Sequence, residues 1–280
     1  MSGQAFRPLA LIASAALVAL TLGGCAAGAG TATDSSAGAD GPSDATGSTT
    51  ELRGELTIFA AASLGGAFDE LAAEFEARHP SLDVAPITYD GSSTLAVQLI
   101  EGAAADVFAS ADERNLAKVD DAGLIAGEPE AFATNVLEIA VRPGNPLGIE
   151  SLDDLDDAAT ADPLVVVCAP EVPCGNAAAT LIELAGITLT PASEEQNVSA
   201  VLTKVRTGEA DAGLVYVTDI TAADGEVDGI PIEGADAATN VYPIAALEDA
   251  ANPEAARAFI EFVHSADGAK VLASFGFGSP

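Results

Sequence analysis

From residue 56 onward the chain repeats one unit: a short continuous apolar run, then small residues with a hydroxyl or a turn, then apolar positions three and four apart. LTIFAA at 56–61 is the first such run, and its lack of polar alternation suits a strand buried on both faces. Leu64, Phe68, Leu71 and Phe75 follow on one helical face, with Ser63 expected as the helix cap. A strand at 83–89, a helix at 94–100, the strand ADVFAS at 105–110 and a helix opened by Asp112 continue the series. Further strands are expected at 135–141 and 163–167, with SLDDLDDAA between them as an acidic helical segment. Helices follow at 176–186, closed by Gly186, and after the cap Asn197, closed by Gly208. AGLVYV at 212–217 reads as a strand, and Asn252 with Pro253 opens a final helix carrying Ala255, Phe259, Phe262 and Val263 on one side. Alternation of this kind predicts an α/β fold with mainly parallel sheets.

The first 53 residues belong to none of these units. Arg7, an apolar run over 9–22 and LGGC at 22–25 have the form of a secretory signal over 1–24, with Cys25 at the cleavage point. The run is shorter than the roughly 20 apolar residues a membrane span needs. In this it resembles a bacterial lipoprotein signal, which implies that Cys25 is lipidated and that the protein is extracytoplasmic, held to the outer face of the membrane only by its anchor. The small polar stretch after it, through residue 53, has too little apolar bulk to bury and reads as a flexible tether.

Charge and cysteine usage narrow the partners. The chain has 43 acidic and 10 basic residues, a net charge of -33, which argues against nucleic acid and anionic surfaces. With Cys25 committed to lipid, only Cys168 and Cys174 of the three cysteines remain, in a compartment that permits disulfides. A zinc site would want more ligands than His79 and His264, the only two histidines, offer around this pair, so a Cys168–Cys174 bridge is expected over a metal site.

Four segments share a strand end, small residues and a helix start: AAASL at 60–64, DGSSTLA at 90–96, CAPEVPCGNAA at 168–178 and EQNVSAV at 195–201. In open α/β sheets ligands sit at the carboxyl ends of strands, and a helix start offers free N–H groups to an anion. Singly, each segment is equally consistent with an ordinary cap.

In this order, with GLVYVTD at 213–219 and the closing SFGF, the segments resemble the molybdate-binding protein of the bacterial molybdate ABC importer, from about Glu55 to Phe277. The resemblance implies a two-lobed type II periplasmic binding fold, each lobe a mainly parallel sheet flanked by helices, closing on an oxyanion in the cleft. Lobe I is expected at 54–134 plus 243–280 and lobe II at 135–242. Carried over residue by residue, the molybdate-binding positions are Ser63, Ser92, Cys174, Val198 and Tyr216. Molybdenum enters only as the molybdate oxyanion, with no direct protein ligand and no cofactor. The implied partners are molybdate or tungstate and the permease subunits of an ABC importer, with the binding protein itself a monomer. Two positions depart from the family pattern: Gly91 replaces a serine, and Cys174 replaces an alanine, harmless where only its N–H is used.

None of the five expected positions supplies a positive charge, so a dianion must be held by short-range donors. A site made of donors rejects hydrogen phosphate, whose proton then lacks an acceptor, provided that neither Asp90 nor Glu171 points inward. The alternatives are the same fold serving sulfate, phosphate or an organic anion, a secreted hydrolase, or a surface protein without a small ligand. No GxSxG elbow and no histidine near Ser63 or Cys174 in sequence supports the hydrolase, so the expectation is a binding protein and not an enzyme.

Overall fold

The computed structural model describes residues 51–157, 159–160 and 162–280. The expected signal segment and Cys25 lie outside them. Among the described residues no helix is long and apolar enough to cross a membrane.

The first stretch forms β1 (Gly54–Leu56), β2 (Ile58–Ala61), α1 (Gly65–Arg78), β3 (Leu82–Val84), β4 (Thr88–Asp90), α2 (Ser92–Ile100), β5 (Val107–Ala109), α3 (Glu113–Asp121) and β6 (Ile125–Asn135). The second supplies β7 (Leu137–Val141), β8 (Val165–Cys168), α4 (Pro173–Ala185), β9 (Ser193–Glu195), α5 (Val198–Thr207), β10 (Ala212–Tyr216), α6 (Val217–Ala222) and β11 (Asp228–Pro231). The chain then returns through β12 (Asn240–Leu247) and ends in α7 (Pro253–Val263) and α8 (Ala266–Ser274).

Two five-stranded sheets result, in the orders β4-β2-β5-β12-β6 and β11-β7-β10-β8-β9. The first carries β2 parallel to β4 and β5, with β12 antiparallel to β5 and β6. The second carries β8 parallel to β9 and β10, with β7 antiparallel to β10 and β11. Both sheets are therefore mixed, and the expected parallel character is confined to one side of each. The reason is connectivity: parallel neighbours need a crossover helix, whereas β6 runs straight out of its sheet and β12 runs straight back in beside it. Asn135 and Asn240 pair in that register, where the two crossing strands meet.

The first sheet packs against an aromatic cluster. Phe68 and Phe75 of α1 meet Phe259 of α7 edge-on, at 5.9 and 5.3 Å between ring centres. The second sheet buries aliphatic side chains instead, among them Ile139, Val166, Val201 and Leu214. Asp112, Asn197 and Asn252 each cap a helix by accepting a backbone N–H three residues on, and Gly186 and Gly208 close α4 and α5 in the left-handed conformation.

Two local readings are corrected, and one strand had gone unread. Ser63 caps no helix but sits inside a 3-10 turn, Ala62–Leu64, ahead of α1. The acidic segment after 150 forms only the short 3-10 turn Leu152–Leu155, since an acidic run has little apolar surface to hold a longer helix down. Strand β6, with Pro129 and a run of exposed residues, was illegible as a strand. It lies at a sheet edge, where proline and polar side chains are tolerated.

Candidate anion-binding site

The parallel strands of both sheets aim their carboxyl ends at one cleft, and all five residues singled out from the sequence line one small cavity there, of about 10 Å³. Ser63 follows β2, Ser92 is the first residue of α2 after β4, and Cys174 is the second residue of α4 after β8. Val198 is the first residue of α5 after β9, and Tyr216 ends β10. The remaining lining comes from the backbone and small side chains beside them: Ala61, Ala62, Asp90, Gly91, Ala111, Val172 and Pro173. Sequence reasoning missed Ala111, which follows β5 and carries no polar side chain to mark it.

The donors are of two kinds. Cys174 and Val198 lie in the first turns of α4 and α5, where backbone N–H groups have no intrahelical acceptor. Ser63, Ser92 and Tyr216 bring hydroxyls. Ser92 is 1% exposed, and its Oγ accepts the N–H of Ala111 at 2.9 Å, which leaves its own hydrogen to donate elsewhere. Ser63 Oγ lies 2.9 Å from Tyr242 Oη. The Tyr216 hydroxyl is buried, with no partner in hydrogen-bond geometry among the described residues, and burial holds the phenol well above its usual range, so it stays a neutral donor. A buried hydroxyl left unpaired costs about 1–3 kcal/mol.

Among the described residues no lysine, arginine or histidine lines the cavity. Of the two carboxylates in question, Glu171 is exposed and outside the lining, whereas Asp90 is at the wall. Its Oδ1 accepts the N–H of Gly91 at 2.7 Å and Nδ2 of Asn197 at 2.9 Å. That oxygen is thus committed to two protein donors, one of them the cap residue of α5 on the opposite side of the cleft.

A second set of contacts ties α3 to the loop between β8 and α4. Arg114 Nη2 donates to the carbonyls of Pro170 and Glu171, both at 3.0 Å, and Asn115 Nδ2 reaches the Glu171 carbonyl at 3.3 Å. That loop is ringed by the Cys168–Cys174 disulfide, whose Cα atoms are 5.7 Å apart. Gly175 lets the start of α4 nest on the strand end, since a Cβ there would lie 2.0 Å from the Ala169 carbonyl oxygen.

Two sheets joined by paired crossing strands, with a cation-free cavity of converging donors between them, define a solute-binding protein. The chain belongs to the bacterial extracellular solute-binding protein family, whose profile matches residues 56–278. It is 42% identical over 243 residues, 87% of this chain and 92% of the relative, to the molybdate-binding protein ModA of Mycobacterium bovis. Among solved structures it is similar to the substrate-binding domain of a putative molybdenum ABC transporter from Clostridium difficile, at TM-score 0.59 and 26% identity over 81% of this chain and 99% of that one. The sulfate-binding protein SubI of Mycobacterium tuberculosis superposes at TM-score 0.71 with 18% identity, over 80% of this chain and 86% of that one. The last likeness is one of fold alone. Membership makes the chain a binding component and not an enzyme.

Proposed function

We propose that the chain captures molybdate, or the nearly isosteric tungstate, in this cavity and delivers it to the permease of an ABC importer. In this reading Ser63, Ser92 and Tyr216 donate through hydroxyls, and Cys174 and Val198 through backbone N–H groups. Lobe I comprises 54–134 and 243–280, lobe II comprises 135–242, and the protein is tethered by lipid on Cys25.

The observation that supports the reading is the convergence of donors from five strand ends on a cavity with no side-chain cation among the described residues. A hydrogen bond to a charged group contributes roughly 1.5–3 kcal/mol net. Five of them offset desolvation and closure and still leave about −8 kcal/mol, or micromolar affinity. The high identity to a named molybdate-binding relative supports the choice of anion. Sulfate is the second reading, since it too is an unprotonated tetrahedral dianion and a sulfate-binding protein shares the fold. Calorimetric titration of the purified mature chain with molybdate, tungstate, sulfate and phosphate separates the two. Molybdate and tungstate are expected to bind at micromolar concentration or below, with sulfate weaker by a factor of about 100. Sulfate binding as tightly as molybdate overturns the assignment.

A further inference from the structure

We propose that Tyr242, oriented by Asn135, is a positioning residue that holds the Ser63 hydroxyl as a hydrogen donor into the cavity and thereby sets the site against anions that carry a proton. This rests on the oxyanion reading of the cavity and names residues outside its lining.

The argument is an accounting of protons. Asn135 and Tyr242 are 4% and 0% exposed, so every polar atom they carry needs a partner within the protein. The N–H of Val136 donates to Asn135 Oδ1 at 3.0 Å, which fixes which end of the amide is oxygen. Asn135 Nδ2, a donor only, then gives one hydrogen to Thr218 Oγ1 at 2.8 Å and the other to Tyr242 Oη at 3.3 Å. Tyr242 Oη is thereby an acceptor from Asn135, and its own single hydrogen goes to Ser63 Oγ at 2.9 Å, which has hydrogen-bond geometry where the neighbouring Tyr216 hydroxyl does not. Burial also keeps the Tyr242 phenol above its usual range, so that hydrogen is not lost. Were Ser63 to donate to Tyr242 instead, the buried phenol hydrogen would be left with only the Tyr216 hydroxyl, which is not placed to accept it with hydrogen-bond geometry.

A free serine hydroxyl both donates and accepts. With Tyr242 donating to its oxygen, Ser63 turns its hydrogen toward the cavity, and the orientation in which it offers only lone pairs is removed. Ser92 is treated alike by a different group, the backbone N–H of Ala111. Both serines therefore face the ligand with a hydrogen, one enforced by the backbone and the other by a side-chain relay. Asp90 is the sole carboxylate at the wall among the described residues, and it is the same in every variant compared below.

The test is Tyr242→Phe, which keeps a ring among Phe132, Tyr216 and Phe277 and deletes only the hydroxyl. Asn135→Ala is the second variant: it leaves Tyr242 in place and removes the group that gives the relay its direction. Each is titrated near neutral pH with molybdate, sulfate and phosphate. Sulfate is the internal control, being tetrahedral but unprotonated. The expected result in Tyr242→Phe is molybdate and sulfate weakened together by about 3- to 10-fold while phosphate binding is retained or gained, so that the molybdate-to-phosphate ratio falls by about 10-fold or more. Asn135→Ala is expected to shift the ratio in the same direction by less. Equal weakening of all three anions, or an unchanged ratio in both variants, overturns the proposal and leaves Tyr242 a packing residue. Absence of any oxyanion binding by the unaltered chain overturns the functional reading itself, a different outcome from unchanged selectivity in a chain that binds.

Discussion

Gly91 and Gln196 meet across the cleft so closely that a Cβ on Gly91 would lie 2.0 Å from the Gln196 carbonyl oxygen. Gly91 has an ordinary φ of -60°, so the requirement is one of space and not of backbone freedom. The residue where the family pattern has a serine is thus the place at which the two halves of the site come together, and the adjacent Asp90–Asn197 hydrogen bond closes beside it.

Gly91→Ser therefore tests closure. The added side chain meets a backbone atom, which cannot swing aside as a flexible side chain does, and the cleft must stay ajar. Molybdate affinity is expected to fall by at least 10-fold, about 1.4 kcal/mol or more. Small-angle scattering of the molybdate-loaded variant is expected to show a larger radius of gyration than loaded wild type. Wild-type affinity in this variant shows that the strand has room to shift.

Ser92→Ala differs from a simple loss of a ligand contact. The Ala111 N–H that now bonds Ser92 Oγ is left without its acceptor in a buried place. Thermal or denaturant unfolding of the ligand-free protein is expected to register a loss of about 1–3 kcal/mol. Molybdate binding is expected to weaken by a further 10- to 150-fold, the equivalent of one charge-assisted bond. Tyr216→Phe, by contrast, removes a hydroxyl that has no partner in hydrogen-bond geometry among the described residues, and ligand-free stability is expected to hold or rise while affinity falls.

The disulfide ring is held from outside by Arg114 and presents Cys174 to the cavity from within. The double substitution Cys168→Ala, Cys174→Ala keeps the backbone N–H and frees the loop. A loop this short accounts for about 2–3 kcal/mol of stability. Molybdate affinity is expected to drop by roughly 3- to 30-fold, since the ordering cost of the loop moves into the binding step. A variant that melts earlier but binds unchanged assigns the bridge to stability alone.

Asp219 supplies a pH signature. It is buried, and burial raises its carboxyl to about 7, against a lowering influence from the Tyr216 N–H that it accepts at 2.9 Å. In the unfolded chain it titrates at about 3.8. Between those values the folded state holds a proton that the unfolded state has lost, so this group's contribution to stability declines as pH rises through that window. Asp219→Asn removes the titration and keeps an acceptor for Tyr216. The variant's stability relative to wild type is expected to rise by about 2–4 kcal/mol between about pH 4 and about pH 8. Parallel pH profiles for the two proteins, measured by urea unfolding, count against a raised carboxyl at Asp219.

The segments that could be read from sequence are those whose signal is local. LTIFAA and AGLVYV are apolar enough to declare buried strands, and Asp112, Asn197 and Asn252 declare helix starts because capping is settled within four residues. Ser63 carried the same local signal and was misread as a cap, because its partner, Tyr242, lies 179 residues away. β6 was missed because it is an edge strand with one open side, which needs no apolar run.

The order of AAASL, DGSSTLA, CAPEVPCG, NVSAV and GLVYV, through the resemblance it carries, sufficed to name five residues that line the cavity, since each stands at a strand end or helix start that its own neighbours specify. Tertiary structure alone decided how those donors are used. Tyr242 reads as one more apolar position in NVYPIAAL, yet its hydroxyl meets Ser63 and Asn135 beneath the cavity. Gly91 reads as a missing serine, yet it is the point of contact between halves that the sequence lists a hundred residues apart. The physical reason is range. Burial periodicity and capping are fixed by residues a few positions apart, whereas the direction of a hydroxyl and the clearance across a cleft depend on atoms brought together only when both sheets have folded.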